Sequence, residues 1–155
     1  MNVEYINPFI EASKSIINQT TGFNPSLGKI YIKGTPYKGA DVVVLIGLTG
    51  EIQGNVIISL SKKIACKIAA AMMGEISLVE LDEIGKSAIS ELCNMILGTA
   101  ASIFYKKNIS IDITPPTVFT GNNIELSLSK AVIVCIPLEF DDGDSVDINI
   151  TYKEK

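Results

Sequence analysis

The chain has 155 residues, of which 47% are hydrophobic, and it carries a formal net charge of −4. This length and composition predict one domain, spanning residues 1–155, that buries a core of its own. The acidic charge argues against a nucleic-acid surface, and the absence of histidine excludes imidazole general bases, Ser–His nucleophiles and zinc sites with His ligands.

The cysteines and the apolar runs indicate a cellular compartment. Cys66, Cys93 and Cys135 are widely separated and odd in number, which predicts reduced thiols. No basic start followed by an apolar run marks a signal peptide, and the apolar runs have strand dimensions rather than membrane-spanning length. We therefore expect a soluble cytoplasmic protein that contacts neither membrane nor nucleic acid.

The first half of the chain predicts a helix, strands and a short helix. Apolar residues at helical spacing over Pro8–Thr20 indicate an α-helix that ends near Gly22. Three segments with alternating or β-branched residues then predict an antiparallel meander: Lys29–Lys33, Asp41–Leu48 and Gly54–Leu60. Ser61 is a suitable N-cap for a short helix that ends at Met73.

The second half predicts a long helix, over Glu80–Tyr105, followed by strands. The predicted strands are Ile111–Ile113, Thr117–Thr120, Ile124–Leu128, Ala131–Phe140 and Val146–Tyr152. The segment Asp141–Asp144 lacks the alternating aspartates and closing glutamate of an EF-hand, so a hairpin turn is predicted there rather than a calcium loop. Gly47, Gly50 and Gly54 do not have nucleotide-loop spacing and are predicted to serve turns.

The order of elements suggests one unit of a helix and three strands used twice. This predicts an α+β fold with pseudo-twofold symmetry, in which an antiparallel sheet packs with two long helices. Alignment of the two long helices places Asn7 with Ser87, Glu11 with Glu91, and Lys14 with Asn94. The first copy keeps the carboxylate and loses the amide, so we expect one working surface per chain.

The long second helix carries a polar stripe on an otherwise apolar or small surface. At about 100° per residue, four residues fall within roughly 60° of arc: Ser87, Glu91, Asn94 and Gly98. The opposite side is apolar: Ile89, Leu92, Ile96 and Ile103. Glu91 is the only charged residue between Ser87 and Tyr105, unlike the Lys and Glu of an ordinary solvated face. The stripe is therefore predicted to be exposed.

The spacing of Ser87, Glu91 and Asn94 resembles the S/D-x-x-x-E-x-x-N signature of the CheC/CheX/FliY family of chemotaxis phosphatases, which dephosphorylate the response regulator CheY. The chain length and the single intact copy are similar to CheX. The resemblance extends to other segments: Asn2–Phe9, Ile46–Gly50 followed by Gln53–Gly54, and Pro115–Pro116. It implies a CheC/CheX-like fold and a phosphatase of the phospho-aspartate of a CheY-type receiver domain.

The resemblance also implies roles for the stripe. Asn94 would orient the attacking water, as a carboxamide can without changing charge, and Glu91 would pair with the receiver's active-site lysine. Ser87 would make a supporting contact. Gly98, where many related sequences carry a second asparagine, would permit close approach of the partner. The protein would need no cofactor of its own, since Mg²⁺ belongs to the receiver domain.

Relatives of this kind imply a symmetric homodimer, joined through β-strands rather than through the stripe-bearing helix. Apolar segments such as Ala131–Leu138 are candidate edges for that pairing. Burial of Glu91 between two copies would place two carboxylates together without a cation.

Other functions remain open at this level. A non-catalytic receiver-binding or flagellar-switch adaptor would use the same fold and could dispense with Asn94. The protein could also be a structural or dimerisation module, in which the stripe is incidental. Pro115 and Pro116 are predicted to mark the entry into a strand, where proline fixes φ and blocks continuation of the helix, rather than to contact a partner.

Overall fold

The computed structural model of the protein describes residues 3–128 and 132–154. After a 3-10 turn at Val3–Tyr5, this part of the chain forms three α-helices: α1 (Asn7–Thr21), α2 (Lys62–Met72) and α3 (Glu83–Lys106). It also forms ten strands: β1 (Ser26–Leu27), β2 (Tyr31–Lys33), β3 (Tyr37–Lys38), β4 (Val42–Gly50), β5 (Ile52–Leu60), β6 (Ile111–Ile113), β7 (Thr117–Thr120), β8 (Glu125–Leu126), β9 (Ile133–Glu139) and β10 (Ser145–Glu154). Asn2 and Ala131, which the sequence analysis used, lie outside the described residues.

Eight of these strands form one antiparallel sheet, with the order β1-β9-β10-β5-β4-β6. Strand β2 also pairs with β9, and β7 also pairs with β4, so each outer strand is made of two short pieces. The two remaining strands, β3 and β8, pair with each other. The predicted α+β fold with an antiparallel sheet and two long helices is confirmed.

The sheet consists of two equivalent halves that exchange their outer strands. One half contributes α1, β1–β2 and the β4–β5 hairpin, and the other contributes α3, β6–β7 and the β9–β10 hairpin. Each broken outer strand pairs with the hairpin of the other half. The predicted three-stranded meander is therefore wrong, because β2 pairs with β9 rather than with β4. Alternation along a strand identifies the strand but carries no information about its partner.

Helices α1 and α3 pack together on one face of the sheet and enclose the main core. Phe9 of α1 meets Phe104 of α3 edge to face, with ring centroids 5.4 Å apart, and both rings are buried. A smaller cluster covers the opposite face, where Tyr37 of β3 packs with Val43 and Ile57 of the central strands. Both faces of the sheet are thus covered, and the helix-bearing face holds most of the apolar side chains.

Helix α3 is positioned by its N-terminus and by its apolar side. The Asp82 carboxylate accepts a hydrogen bond from the Gly85 N–H at 2.8 Å, which fixes the start of the helix. Ile89, Leu92 and Ile96 are buried in the core. By length and composition alone α3 is long and apolar enough to cross a membrane, a test that core helices also pass. The buried part of its apolar surface lies in the core, where α3 contacts α1 and α2.

The aspartates of the 141–144 segment form the turn between β9 and β10, as predicted. Asp142 and Asp144 lie 3.3 Å from the ammonium groups of Lys67 and Lys63, respectively. These carboxylates therefore join the hairpin to helix α2.

The three cysteines are free and buried, in agreement with the prediction of reduced thiols. Burial raises the pKa of the Cys93 thiol to about 12, so this side chain stays protonated and unreactive at neutral pH.

Candidate functional site

Glu91 and Asn94 lie on successive turns of α3, on the side that faces away from the core. Both side chains are exposed, whereas Leu92 and Cys93 between them are buried. The separation of three residues places the carboxylate and the carboxamide side by side on the helix surface. Neither side chain makes a hydrogen bond or ion pair within the part of the chain that the structure describes. Both groups are therefore available to another molecule.

An open cleft of about 360 Å³ lies between this helix surface and the end of strand β6. Its lining comes from two elements: Ser90, Glu91 and Asn94 of α3, and Ile113, Thr114, Pro115 and Pro116 of the outer strand. The helix supplies the polar groups, and the strand supplies a wall that is apolar except for one hydroxyl.

The outer wall is a β-bulge, formed by Thr114, Pro115 and Pro116. On one side of it Leu48 pairs with Ile113, and on the other Leu45 pairs with Thr117. Residues 114–116 thus oppose only residues 46 and 47 of β4, so the outer strand carries one extra residue. The bulge separates β6 from β7 and turns the two prolines toward α3.

The turn between β4 and β5 holds the other end of β6. Gly50 pairs with Ile111, and the Glu51 N–H donates to the Ser110 carbonyl at 3.0 Å. Gly50 has a positive φ of 100°, and a Cβ there would lie 2.7 Å from the Ser110 oxygen, so the close approach requires glycine. The segment Ile46–Gly50, noted in the sequence, is therefore the strand against which the cleft wall is built.

The structure separates the predicted site residues into two groups. Glu91 and Asn94 line the cleft, together with Pro115 and Pro116. Ser87 is exposed one turn before Glu91, and no heavy atom lies within 4 Å of the Cβ position of Gly98, but neither residue lines the cleft. As predicted, the prolines lie at the entry into a strand, directly before β7, and they also line the cleft.

Sequence reasoning missed two polar residues of the cleft, Ser90 and Thr114. Ser90 lies about 40° around the helix from Asn94, so helical spacing alone could have placed it on the same side of α3 as Asn94. Thr114 gave no such signal, because its position depends on the register between β4 and the outer strand.

The cleft contains few ionisable groups. Among the described residues that line it, Glu91 alone is charged. No group of three or more His, Cys, Asp or Glu residues able to hold a metal ion occurs in residues 3–128 and 132–154. The donor set of the cleft is one carboxylate, one carboxamide and the hydroxyls of Ser90 and Thr114. These groups can orient water and receive a cationic partner group.

Comparison with known proteins shows the class to which this fold and site belong. A family model described as "Chemotaxis phosphatase CheX" matches residues 42–139. The chain is 33% identical over 153 residues to the CheY-P phosphatase CheX of Thermotoga maritima, covering 99% of this chain and 98% of that protein. The chain belongs to the CheX family of chemotaxis phosphatases.

Solved structures agree with this family assignment. A CheC-like superfamily protein from Shewanella sp. PV-4 superimposes with a TM-score of 0.88 at 28% identity, covering 99% of each chain. CheX in a CheX–CheY–BeF3–Mg²⁺ complex from Borrelia burgdorferi matches with a TM-score of 0.82 at 28% identity, covering 99% of this chain and 100% of that one. The CheC/CheX-like fold predicted from the sequence is confirmed.

Proposed function

We propose that this protein is a phosphatase that removes the phosphoryl group from the active-site aspartate of a CheY-type receiver domain in chemotaxis signalling. The observation that carries the proposal is the exposed pair Glu91 and Asn94, which lines an open cleft and lacks partners within the described chain. Membership of the CheX family supports it, as do the named activity of the Thermotoga maritima relative and the CheY-bound state of the Borrelia burgdorferi relative.

Asn94 positions the attacking water. Hydrolysis of an acyl phosphate needs a water oxygen in line with the scissile P–O bond, and positioning supplies much of the acceleration. The Asn94 carbonyl accepts a hydrogen bond from this water, and its amide group donates one to a phosphoryl oxygen or to a second water. The carboxamide performs both tasks at constant charge, which suits a site that contains no histidine.

Glu91 orients the receiver. Its exposed carboxylate pairs with the active-site lysine of the receiver domain, one helical turn from Asn94. This ion pair sets the register in which Asn94 reaches the phosphorus. The Mg²⁺ ion that neutralises the phosphoryl oxygens belongs to the receiver, and the phosphatase contributes no metal.

The open shape of the cleft fits a protein substrate. A site that lies between a helix surface and a strand bulge excludes little water by itself, so the docked receiver must complete the enclosure. Ser87 and Gly98 extend the contact along α3, because Ser87 lies about 6 Å from Glu91, and Gly98 about 6 Å from Asn94, by helical rise. We assign them to receiver binding on either side of the reacting groups.

The direct test is phosphate release from a purified receiver domain that has been phosphorylated by a small phosphodonor. We expect substoichiometric amounts of this protein to accelerate the release over several turnovers. Binding of the receiver without acceleration would contradict the phosphatase and support the adaptor alternative.

We further propose that the protein is a cytoplasmic homodimer joined through the β1–β2 edge of the sheet. The predicted edge at Ala131–Leu138 is wrong for the described residues, because β9 is paired with β10 on one side and with β1 and β2 on the other. The β1–β2 edge exposes Leu27, Tyr31 and Ile32, which are 42%, 40% and 61% accessible. A dimer there leaves both clefts open.

Light scattering at micromolar concentration should report a dimer. Ile32→Lys, which places a charge on the proposed interface, should convert the dimer to a monomer, and Val3→Lys, at an exposed site on the N-terminal turn, should leave it unchanged. A wild-type monomer, or a dimer that survives Ile32→Lys, would overturn this interface.

A further inference from the structure

The bulge that forms the outer wall of the cleft is held by two hydrogen bonds between Thr114 and Gly47. The Thr114 N–H donates to the Gly47 carbonyl at 3.0 Å, and the Gly47 N–H donates to the Thr114 hydroxyl oxygen at 2.7 Å. The second bond is accepted by a side chain, because the extra residue of the bulge breaks the regular backbone ladder opposite the Gly47 N–H. The Thr114 hydroxyl therefore takes the place of a backbone acceptor next to the site.

Close contact at Gly47 makes this arrangement specific. A Cβ on Gly47 would lie 3.0 Å from the Thr114 methyl carbon and 3.2 Å from its hydroxyl oxygen. A side chain at residue 47 would thus push the threonine away from the strand. Two segments that the sequence analysis noted separately, Ile46–Gly50 and Pro115–Pro116, meet at this contact.

The other half of the molecule contains the same bulge without the side-chain bond. Leu27 pairs with Leu138 and Tyr31 pairs with Cys135, so residues 28–30 oppose only residues 136 and 137. The Gly28 N–H donates to the Pro137 carbonyl at 2.9 Å, as Thr114 does to Gly47. Gly28 has no hydroxyl, however, and Pro137 has no N–H to donate. The side-chain bond thus occurs at the bulge that faces Glu91 and Asn94.

We propose that Thr114 is a positioning residue for the phosphatase reaction, an inference that rests on the proposed function. Its hydroxyl fixes the bulge against β4, and the bulge in turn fixes Pro115 and Pro116 opposite Asn94 across the cleft. The wall limits where the phosphoryl group and its water sit relative to the Asn94 carboxamide. Without the hydrogen bond the receiver still docks on Glu91, but the attacking water is held less well.

The test compares Thr114→Val, which keeps the shape and removes the acceptor, with Thr114→Ser, which keeps the acceptor. Thr120→Val is the matched control, because Thr120 is exposed on β7 and its hydroxyl makes no hydrogen bond within the described chain.

Initial rates measured over a range of concentrations of the phosphorylated receiver give kcat and KM separately. We expect Thr114→Val to lower kcat about tenfold with KM nearly unchanged, since a small misplacement of reacting groups costs at least this much. Thr114→Ser should restore kcat to within about twofold, and Thr120→Val should match the wild type.

Hydrogen exchange of the Gly47 amide in the free protein provides a readout that is independent of activity. The amide should exchange faster in Thr114→Val and remain protected in Thr114→Ser. Unchanged Gly47 protection in folded Thr114→Val, or an unchanged kcat, would overturn the positioning role. The positioning role would also be overturned if Thr114→Val lowered the thermal stability but left kcat per folded molecule unchanged. A wild-type protein that releases no phosphate would remove the proposed function itself, and the exchange result would then still report on the hydrogen bond.

Discussion

The two halves of this molecule have the same backbone plan and different surfaces. Each half contains a long helix and a broken outer strand, and each outer strand has one extra residue where its two pieces meet. On α3 the helix surface presents Glu91 and Asn94, whereas at the aligned positions α1 presents Glu11 and Lys14, which are also exposed. The repeated fold thus provides two equivalent positions, and the pair of carboxylate and carboxamide occurs at one of them.

The comparison also shows which residues the halves share and which they do not. The core belongs to both halves, because α1 and α3 pack against each other over the same sheet. The cleft is lined by α3 and the outer strand of the second half, and Gly47 of the first half holds its wall through Thr114. Substitutions in the core should therefore affect the halves equally, and substitutions at the helix surfaces should not.

The largest effect is expected in the shared core. Phe9→Ala and Phe104→Ala each remove one ring of the buried edge-to-face pair and should each lower the free energy of unfolding by about 4 kcal/mol. Urea unfolding measured by circular dichroism gives both values. If one substitution proves nearly neutral and the other severe, the core is not shared in the way described.

Asn94→Ala should lower the rate of receiver dephosphorylation by about a hundredfold, or roughly 3 kcal/mol, because it removes the group that positions water. Fold and receiver binding should be preserved, since the side chain is exposed and makes no internal bond within the described chain. Lys14→Ala, at the aligned position of α1, is the control and should keep the wild-type rate. Wild-type turnover by Asn94→Ala would show that Asn94 is not part of the reaction.

Glu91→Ala should weaken both recognition and turnover. Loss of a charge-assisted contact to the receiver lysine costs about 2 kcal/mol, which corresponds to roughly thirtyfold in kcat/KM. Receiver binding by calorimetry and steady-state phosphate release measure the two parts. Glu11→Ala on α1 should be nearly silent in both assays, and a large loss there in a folded protein would mean that the first half also carries a working surface.

The smallest effect is expected from an attempt to restore the missing amide. Lys14→Asn in an Asn94→Ala background should give no measurable recovery of phosphatase activity. The new carboxamide would lie beside Glu11. The bulge of the β1–β2 strand, however, has Gly28 opposite Pro137, whereas the bulge at the cleft has Thr114 opposite Gly47. A Cβ on Gly28 would lie 2.5 Å from the Glu139 carboxylate, so a threonine there would displace the Glu139 side chain. Recovery in the phosphate assay would show that the amide and carboxylate suffice.

The sequence predicted the local features of the site and missed the long-range ones. The Ser61 cap, the exposed stripe on α3 and the strand entry after Pro116 depend on nearest neighbours along the chain, and all three are present. The pairing of β2 with β9 and the contact of Thr114 with Gly47 depend on registers between segments far apart in sequence. No local periodicity encodes such a register, because many alignments of two strands satisfy the same alternation.

The two prolines of the bulge have a consequence for the solubility of the protein. A regular outer strand exposes a row of unpaired N–H and C=O groups that can recruit an extended segment from another chain and begin aggregation. At Pro115 and Pro116 the row of N–H donors is interrupted, so a partner strand cannot form a continuous ladder along β6 and β7. The outer strand beside the cleft therefore resists edge-to-edge association, in contrast to the β1–β2 edge, which has no proline at its bulge.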